Sequence, residues 1–135
     1  MRLLLDTHIA LWTILDSPKL PSRARHLIED GGNQIIISAA SIWEISIKHA
    51  LAKGGTMGGP NDMPLSGQDA MAYFQEAGFE LLDISPAHAA GVDDLPPLHG
   101  DPFDRILVVQ ALRTPLRLVT HDPKVAAYSD FVILV

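Results

Sequence analysis

Short, unbroken apolar runs that alternate with stretches of helical periodicity are the feature that most restricts how this chain can fold. Arg2-Leu-Leu-Leu5 is the first such run, and it stops at Asp6. A run of this kind suits a strand buried on both faces, as in a parallel sheet covered by helices. Gln34 to Ile37, Phe79 to Leu82, Arg117 to Val119 and Val132 to Val135 read as further strands. Between them the spacing predicts helices. Ile9, Leu11 with Trp12, and Leu15 recur at helical intervals from Thr7 until Ser17-Pro18. Ser22 reads as the cap of a second helix through Ile28, ended by Gly31-Gly32. After Ser38, another cap, the residues Ile42, Trp43, Ile47, Ala50 and Leu51 line a third. Ser66 opens a helix through Glu76 that Gly78 ends, Ser85-Pro86 starts a short one, a longer one runs from Pro102 to Arg113, and a last short one follows Pro123. The Lys53 to Ser66 stretch, rich in Gly and Pro, reads as a mobile surface loop, and Leu95-Pro-Pro-Leu98 as a rigid elbow. This alternation implies right-handed crossovers and an α/β fold: a three-layer α/β/α arrangement around a mostly parallel central sheet of four to five strands.

A chain of 135 residues is one domain's length, so residues 1–135 are expected to share one core. The absence of Cys excludes disulfides and thiolate metal sites. With no basic start followed by an apolar leader, and no run long enough to span a bilayer, the chain reads as cytoplasmic, unprocessed and without a membrane partner. Sixteen acids stand against ten Lys and Arg, a formal charge of −6, and twelve of the acids are Asp. Glu is the better helix former, so such a skew assigns Asp to caps, turns or a site. The few cations form no run, which argues against a general nucleic-acid binder.

In open parallel sheets, ligands sit beyond the carboxyl ends of the strands, and the sequence places acids there. Asp6 follows the first strand, Asp122 follows the fourth with His121 between, Glu44 lies in the first turns after the second, and Asp104 near the start of the Pro102 helix. Carboxylates gathered without cationic partners repel one another, so a cluster of this kind calls for protons or cations; hard oxygens without thiols suit Mg²⁺ or Mn²⁺. Each acid also has a plainer reading. Asp6 suits an N-cap, Glu44 and Lys48 a solvated i,i+4 ion pair, Asp104 a first-turn dipole partner beside Arg105, Asp101 a cap for Pro102, and Asp122-Pro123 a turn and helix start. It is their shared sheet edge that points to a metal site.

The six His do not repeat at zinc-ligand spacing; His8, His99 and His121 flank acids and read as supporting, substrate-facing or surface residues. Trp12 and Trp43 sit at core spacing and read as packing. No nucleophile elbow, Walker loop or dinucleotide-binding glycine motif occurs. A phosphohydrolase with Asp6 as covalent nucleophile is disfavoured, because a second Asp is wanted two residues on, where His8 stands.

Four segments resemble the motifs of PIN-domain proteins, and among them the VapC-type toxins of prokaryotic toxin–antitoxin systems. They are Met-Arg-Leu-Leu-Leu-Asp-Thr-His at the start, Ser38-Ala-Ala-Ser-Ile-Trp-Glu-Ile-Ser-Ile-Lys48, His99-Gly-Asp-Pro-Phe-Asp-Arg-Ile-Leu107 and Leu118-Val-Thr-His-Asp122. The resemblance runs over essentially the whole chain, although Gly100 stands where a basic residue often follows the His. It implies a Mg²⁺- or Mn²⁺-dependent endoribonuclease with Asp6, Glu44, Asp104 and Asp122 as the acidic metal-binding and catalytic set. Thr7 and Thr120 match the hydroxyl positions that support those acids. It further implies an RNA substrate, a cognate antitoxin protein and a homodimer, with Lys48 and Arg105 as candidate phosphate contacts. A second reading from a different class is a catalytically silent binding module, in which the apolar stretches Ile9 to Leu15 and 42–51 serve dimer or antitoxin association.

Overall fold

A computed structural model describes residues 1–53 and 63–135. Most of the glycine-rich stretch read as a loop lies outside the described residues. Among the described residues five strands form one sheet: β1 (Arg2–Leu5), β2 (Gln34–Ser38), β3 (Glu80–Leu82), β4 (Arg117–Thr120) and β5 (Val132–Leu134). Their order is β3-β2-β1-β4-β5 and every pairing is parallel. Register sets Leu4 beside Ile36 on one side and Leu118 on the other. The helices are α1 (Thr7–Ile14), α2 (Ser22–Glu29), α3 (Ala39–Lys53), α4 (Gly67–Glu76), α5 (Pro86–Gly91), α6 (Pro102–Arg113) and α7 (Pro123–Ala126), with one 3₁₀ turn at Val92–Asp94.

The unbroken apolar runs are explained by two cores, one on each face of the sheet. Successive side chains of a strand point to opposite faces. Leu3 and Leu5 therefore join Ile35, Ile37, Val119 and Ile133 on one face, against Ile9, Ala24, Ile45, Ala70 and Phe74 from α1 to α4. Leu4, Ile36 and Leu118 face the other way onto Leu107, Val108 and Ala111 of α6 and Val125 of α7. Leu4 is fully buried in the central strand, so its truncation to Ala would cost about 2–5 kcal/mol.

Local chemistry ends these elements where the sequence suggests, with exceptions. Ser66 and Ser85 cap α4 and α5 through their hydroxyls, and Gly78 leaves α4 with φ of 81°, a conformation costly for any residue with a Cβ. Gly67 lets α4 approach α3: a Cβ there would lie 1.7 Å from Ser46 Oγ. Ser22 is not a cap. It is the first residue of α2, whose N-cap position is held by Pro21 without a side-chain bond. Trp43 is not a core residue either, since it is 59% exposed and sits edge-on to Phe103 with ring centroids 5.3 Å apart. Ala50 and Leu51 are exposed as well. The buried stripe of α3 runs instead through Ser41, Glu44 and Ile45.

The chain leaves β1 toward β2 on one side and returns to β4 on the other. The winding thus reverses between β1 and β4, and a crevice opens beyond their carboxyl ends. Among the described residues, no helix is long and apolar enough to cross a membrane.

Candidate metal centre

Asp6 occupies the first position past β1, and its backbone N–H still donates to the Val119 carbonyl of β4 at 3.0 Å. Its two carboxylate oxygens have separate duties. Oδ1 accepts from the Ile9 N–H at 2.9 Å and so caps α1, while Oδ2 accepts from the Thr120 hydroxyl at 2.5 Å. Only 5% of the residue is exposed, and burial pushes the carboxyl above its ordinary range, against the opposing effect of these hydrogen bonds. Thr120 also accepts from the Asp122 N–H at 3.1 Å, which joins the ends of β1 and β4 through one hydroxyl.

Asp122 repeats the division of labour. Oδ1 accepts from the Lys124 N–H at 2.9 Å and caps α7, while Oδ2 lies 3.3 Å from His99 Nε2. Asp104 stands in the first turn of α6, which Asp101 caps through Phe103 N–H. Its Oδ2 lies 3.0 Å from the same His99 nitrogen. The Asp104 carboxyl is pushed up to about 7, first by burial and then by the negative charges of Asp101, Asp6 and Glu44, with the His99 contact opposing. Asp6, Glu44 and Asp104 are thus close enough to repel, and Asp122 joins Asp104 through their shared contact with His99.

Glu44 is only 3% exposed. Lys48 Nζ reaches its Oε2 at 2.5 Å, so the i,i+4 pair forms, but around a buried carboxylate and not in solvent. Glu44 Oε1 is one of two buried side-chain oxygens among the described residues with no hydrogen-bond partner, the other being Gln110 Oε1. Thr7 is buried and its hydroxyl donates to Ser41 Oγ at 3.0 Å, tying the start of α1 to α3. Arg105 turns inward. Its guanidinium donates to the carbonyls of Val92, Pro96 and His99 and to Tyr128 Oη at 3.0 to 3.4 Å, fixing the elbow before His99. The plain readings of Asp6, Asp101 and Asp122 as caps therefore hold alongside their place at the sheet edge.

The sequence marks His99 only as one of three His that flank acids, supporting, substrate-facing or at the surface. His99 precedes Asp104 by five residues and Asp122 by 23, a pattern with no local signature, yet ligand atoms of all three lie within 4.8 Å of one another. The donor set fits a hard divalent cation. The orphaned Glu44 oxygen and the raised Asp104 carboxyl are the strains that a positive charge relieves.

Two cavities flank the cluster. One, of about 300 Å³, is lined by Asp6, His8, Trp12, His121, Asp122 and Pro123. The other, of about 480 Å³, is mostly apolar and opens beside Trp43, Ile84, Val92, Phe103 and Ile106.

Comparison with known proteins bears on the family and the fold. The sequence matches the model of one family, the PIN domain, over residues 3–130. No curated protein matches by sequence. Among solved structures, VapBC2 from Rickettsia felis bound to a DNA fragment from its promoter superposes with a TM-score of 0.67 at 20% identity, covering 100% of this chain and 98% of that one. A toxin–antitoxin complex from Klebsiella pneumoniae gives 0.61 at 22%, covering 96% and 94%. FitAcB from Neisseria gonorrhoeae gives 0.56 at 16%, covering 98% and 96%. At these identities the likeness is one of fold.

Proposed function

The chain belongs to the PIN domain family, and from that premise we propose that it is a Mg²⁺- or Mn²⁺-dependent endoribonuclease, the toxin of a toxin–antitoxin pair. The observation that carries this reading is the convergence of Asp6, Glu44, Asp104 and Asp122 on the crevice between β1 and β4, with Lys48 and His99 as the cationic or polar partners among them. Asp6 and Asp104 would hold the ion most directly, with Glu44, Asp122 and His99 around it. A bound divalent cation supplies Lewis acidity toward the phosphate and makes water easier to deprotonate.

The protein groups supply position. Glu44 Oε1, buried and unpartnered, would face the ion or a water held by it, while Lys48 holds the other oxygen of that carboxylate in place. Thr120 fixes the orientation of Asp6 relative to Asp122. Arg105 keeps His99 beside both Asp carboxylates by holding the backbone of the preceding elbow, so its contribution to RNA contact is indirect. The test is cleavage of an unstructured RNA by the purified chain with Mg²⁺ or Mn²⁺, and its loss with EDTA. Cleavage that persists in EDTA overturns the reading.

The antitoxin partner is supported by the neighbouring folds, two of which are toxin–antitoxin complexes. Trp43, exposed on the rim of the apolar cavity, supports protein association, with an antitoxin or as a homodimer. The same surface favours the second reading, a silent binding module, which predicts no specific Mn²⁺ uptake in a calorimetric titration.

A further inference from the structure

The cavity of about 300 Å³ beside the acids is walled by Trp12, His8 and His121, with Asp6 and Asp122 on its other side. The Trp12 and His8 ring centroids are 5.7 Å apart at 40°, and those of Trp12 and His121 are 5.9 Å apart at 67°. Neither imidazole lies flat on the indole, so no parallel ring already occupies its π face. Trp12 is only half-buried, while His8 and His121 are exposed. A packing role alone accounts for part of the indole, which touches the core on the α1 side, but not for the two histidines gathered around it.

His121 is held in a defined orientation. Its Nδ1 lies 2.7 Å from the Val135 carbonyl, which can only accept, so the neutral ring carries its proton there and leaves Nε2 as an acceptor. Among the described residues the cavity lining contains no Lys or Arg, and the chain carries a net charge of −6. A phosphate backbone would find no partner in it, whereas a neutral planar group would find aromatic faces and an acceptor edge. Because Asp6 and Asp122 belong to both the cavity and the acid cluster, a phosphate engaged at the cluster brings its own nucleotide to the cavity mouth.

We propose that this cleft seats an unpaired nucleobase next to the cleaved phosphate, with Trp12 as the stacking surface and His8 and His121 as its flanks. The proposal rests on the nuclease reading and adds to it a demand for a single-stranded substrate whose base can turn out into the protein. Stacked bases of a duplex could not enter.

The experiment has two arms. In a Trp43→Phe background Trp12 is the remaining tryptophan. There, AMP with Mg²⁺ is expected to quench indole emission saturably, while ribose 5-phosphate, the same phosphate without a base, does not. In the second arm, Mg²⁺-dependent cleavage of an unstructured oligoribonucleotide is expected to fall about tenfold in kcat/KM for Trp12→Ala and for His121→Ala, with Trp12→Phe retaining most of it. His121 is exposed, so its variant probes the cleft without disturbing the core. Wild-type cleavage that both alanine variants leave unchanged, or equal quenching by AMP and ribose 5-phosphate, overturns the base cleft and leaves the nuclease reading standing. Absence of cleavage by the wild type with either metal removes the nuclease reading instead, and the quenching arm then decides whether a base binds.

Discussion

The two ends of the sheet handle charge in opposite ways. At the amino end, Arg2 bonds Gln34 at 3.3 Å and Glu80 at 3.2 Å, Gln34 also reaches Glu80, and the Met1 amine bonds Asn33 Oδ1 at 3.0 Å. The Arg2 and Glu80 side chains are nearly half exposed, at 42% and 45%, and neutralise each other. At the carboxyl end, Asp6, Glu44, Asp104 and Asp122 gather near Lys48 and His99, with Asp6 and Glu44 buried, Asp104 and Asp122 partly so, and one Glu44 oxygen unpartnered. Exposed, paired charges contribute little to stability in either direction. Buried, unbalanced ones cost free energy, and a fold keeps them only where something else completes the set.

This contrast can be tested at both ends. The largest effect is expected for Asp6→Asn and Asp104→Asn, which keep the caps or helix position but remove a negative charge. Metal-dependent RNA cleavage should fall at least about 100-fold in each. Asp104→Asn should at the same time raise the melting temperature of the metal-free protein, by roughly 3–5 °C for each kcal/mol of repulsion relieved. Cleavage at the wild-type rate in either variant removes the metal centre from the mechanism.

Lys48→Ala comes next. It leaves the buried Glu44 carboxylate without its cation, so the metal-free chain should lose about 1–3 kcal/mol in denaturant unfolding. Added Mn²⁺ should recover part of that loss; failure to do so would place Glu44 outside the ion's reach.

A smaller effect follows from titration. Asp104 titrates at about 7 in the fold and from the ordinary 3.8 when unfolded, so between those values the folded chain holds a proton that the unfolded chain has released. Metal-free stability should therefore fall as pH rises from about 4 to about 7, and Asp6, also raised, adds to it with the same sign. Melting curves in EDTA at pH 5 and pH 8 measure this, and Mg²⁺ should stabilise more at the higher pH. The smallest effect is expected at the other end, where Arg2→Ala or Glu80→Ala should cost about 0.2–1 kcal/mol and leave cleavage unchanged. A larger loss there would mean that the contrast between the ends is drawn in the wrong place.

Much of the architecture is readable from the chain because its signals are local. Leu3 to Leu5 and Ile35 to Ile37 declare two-sided burial within one strand, and Pro102 with Arg113 bounds α6 as the sequence suggests. The acids at strand ends are equally visible, since a cap and a ligand both want a short carboxylate in that position. What the sequence hides depends on contacts between distant segments. His99 meets Asp104 and Asp122 only once the elbow before it is pinned by Arg105. The reversal at Trp43 and Glu44, where the aromatic residue faces out and the charged one faces in, contradicts hydrophobicity at both positions and is decided by how α3 lies against α1 and α6. Ser22 has the right residue type for a cap but stands one position inside the helix.

The split duty of the site carboxylates also makes the protein its own spectrometer. The Ile9 and Lys124 amide protons point at oxygens of Asp6 and Asp122 while their partner oxygens face Thr120 and His99. In a ¹⁵N–¹H correlation spectrum, these two backbone signals should shift together when an ion enters the site, with no label placed in it.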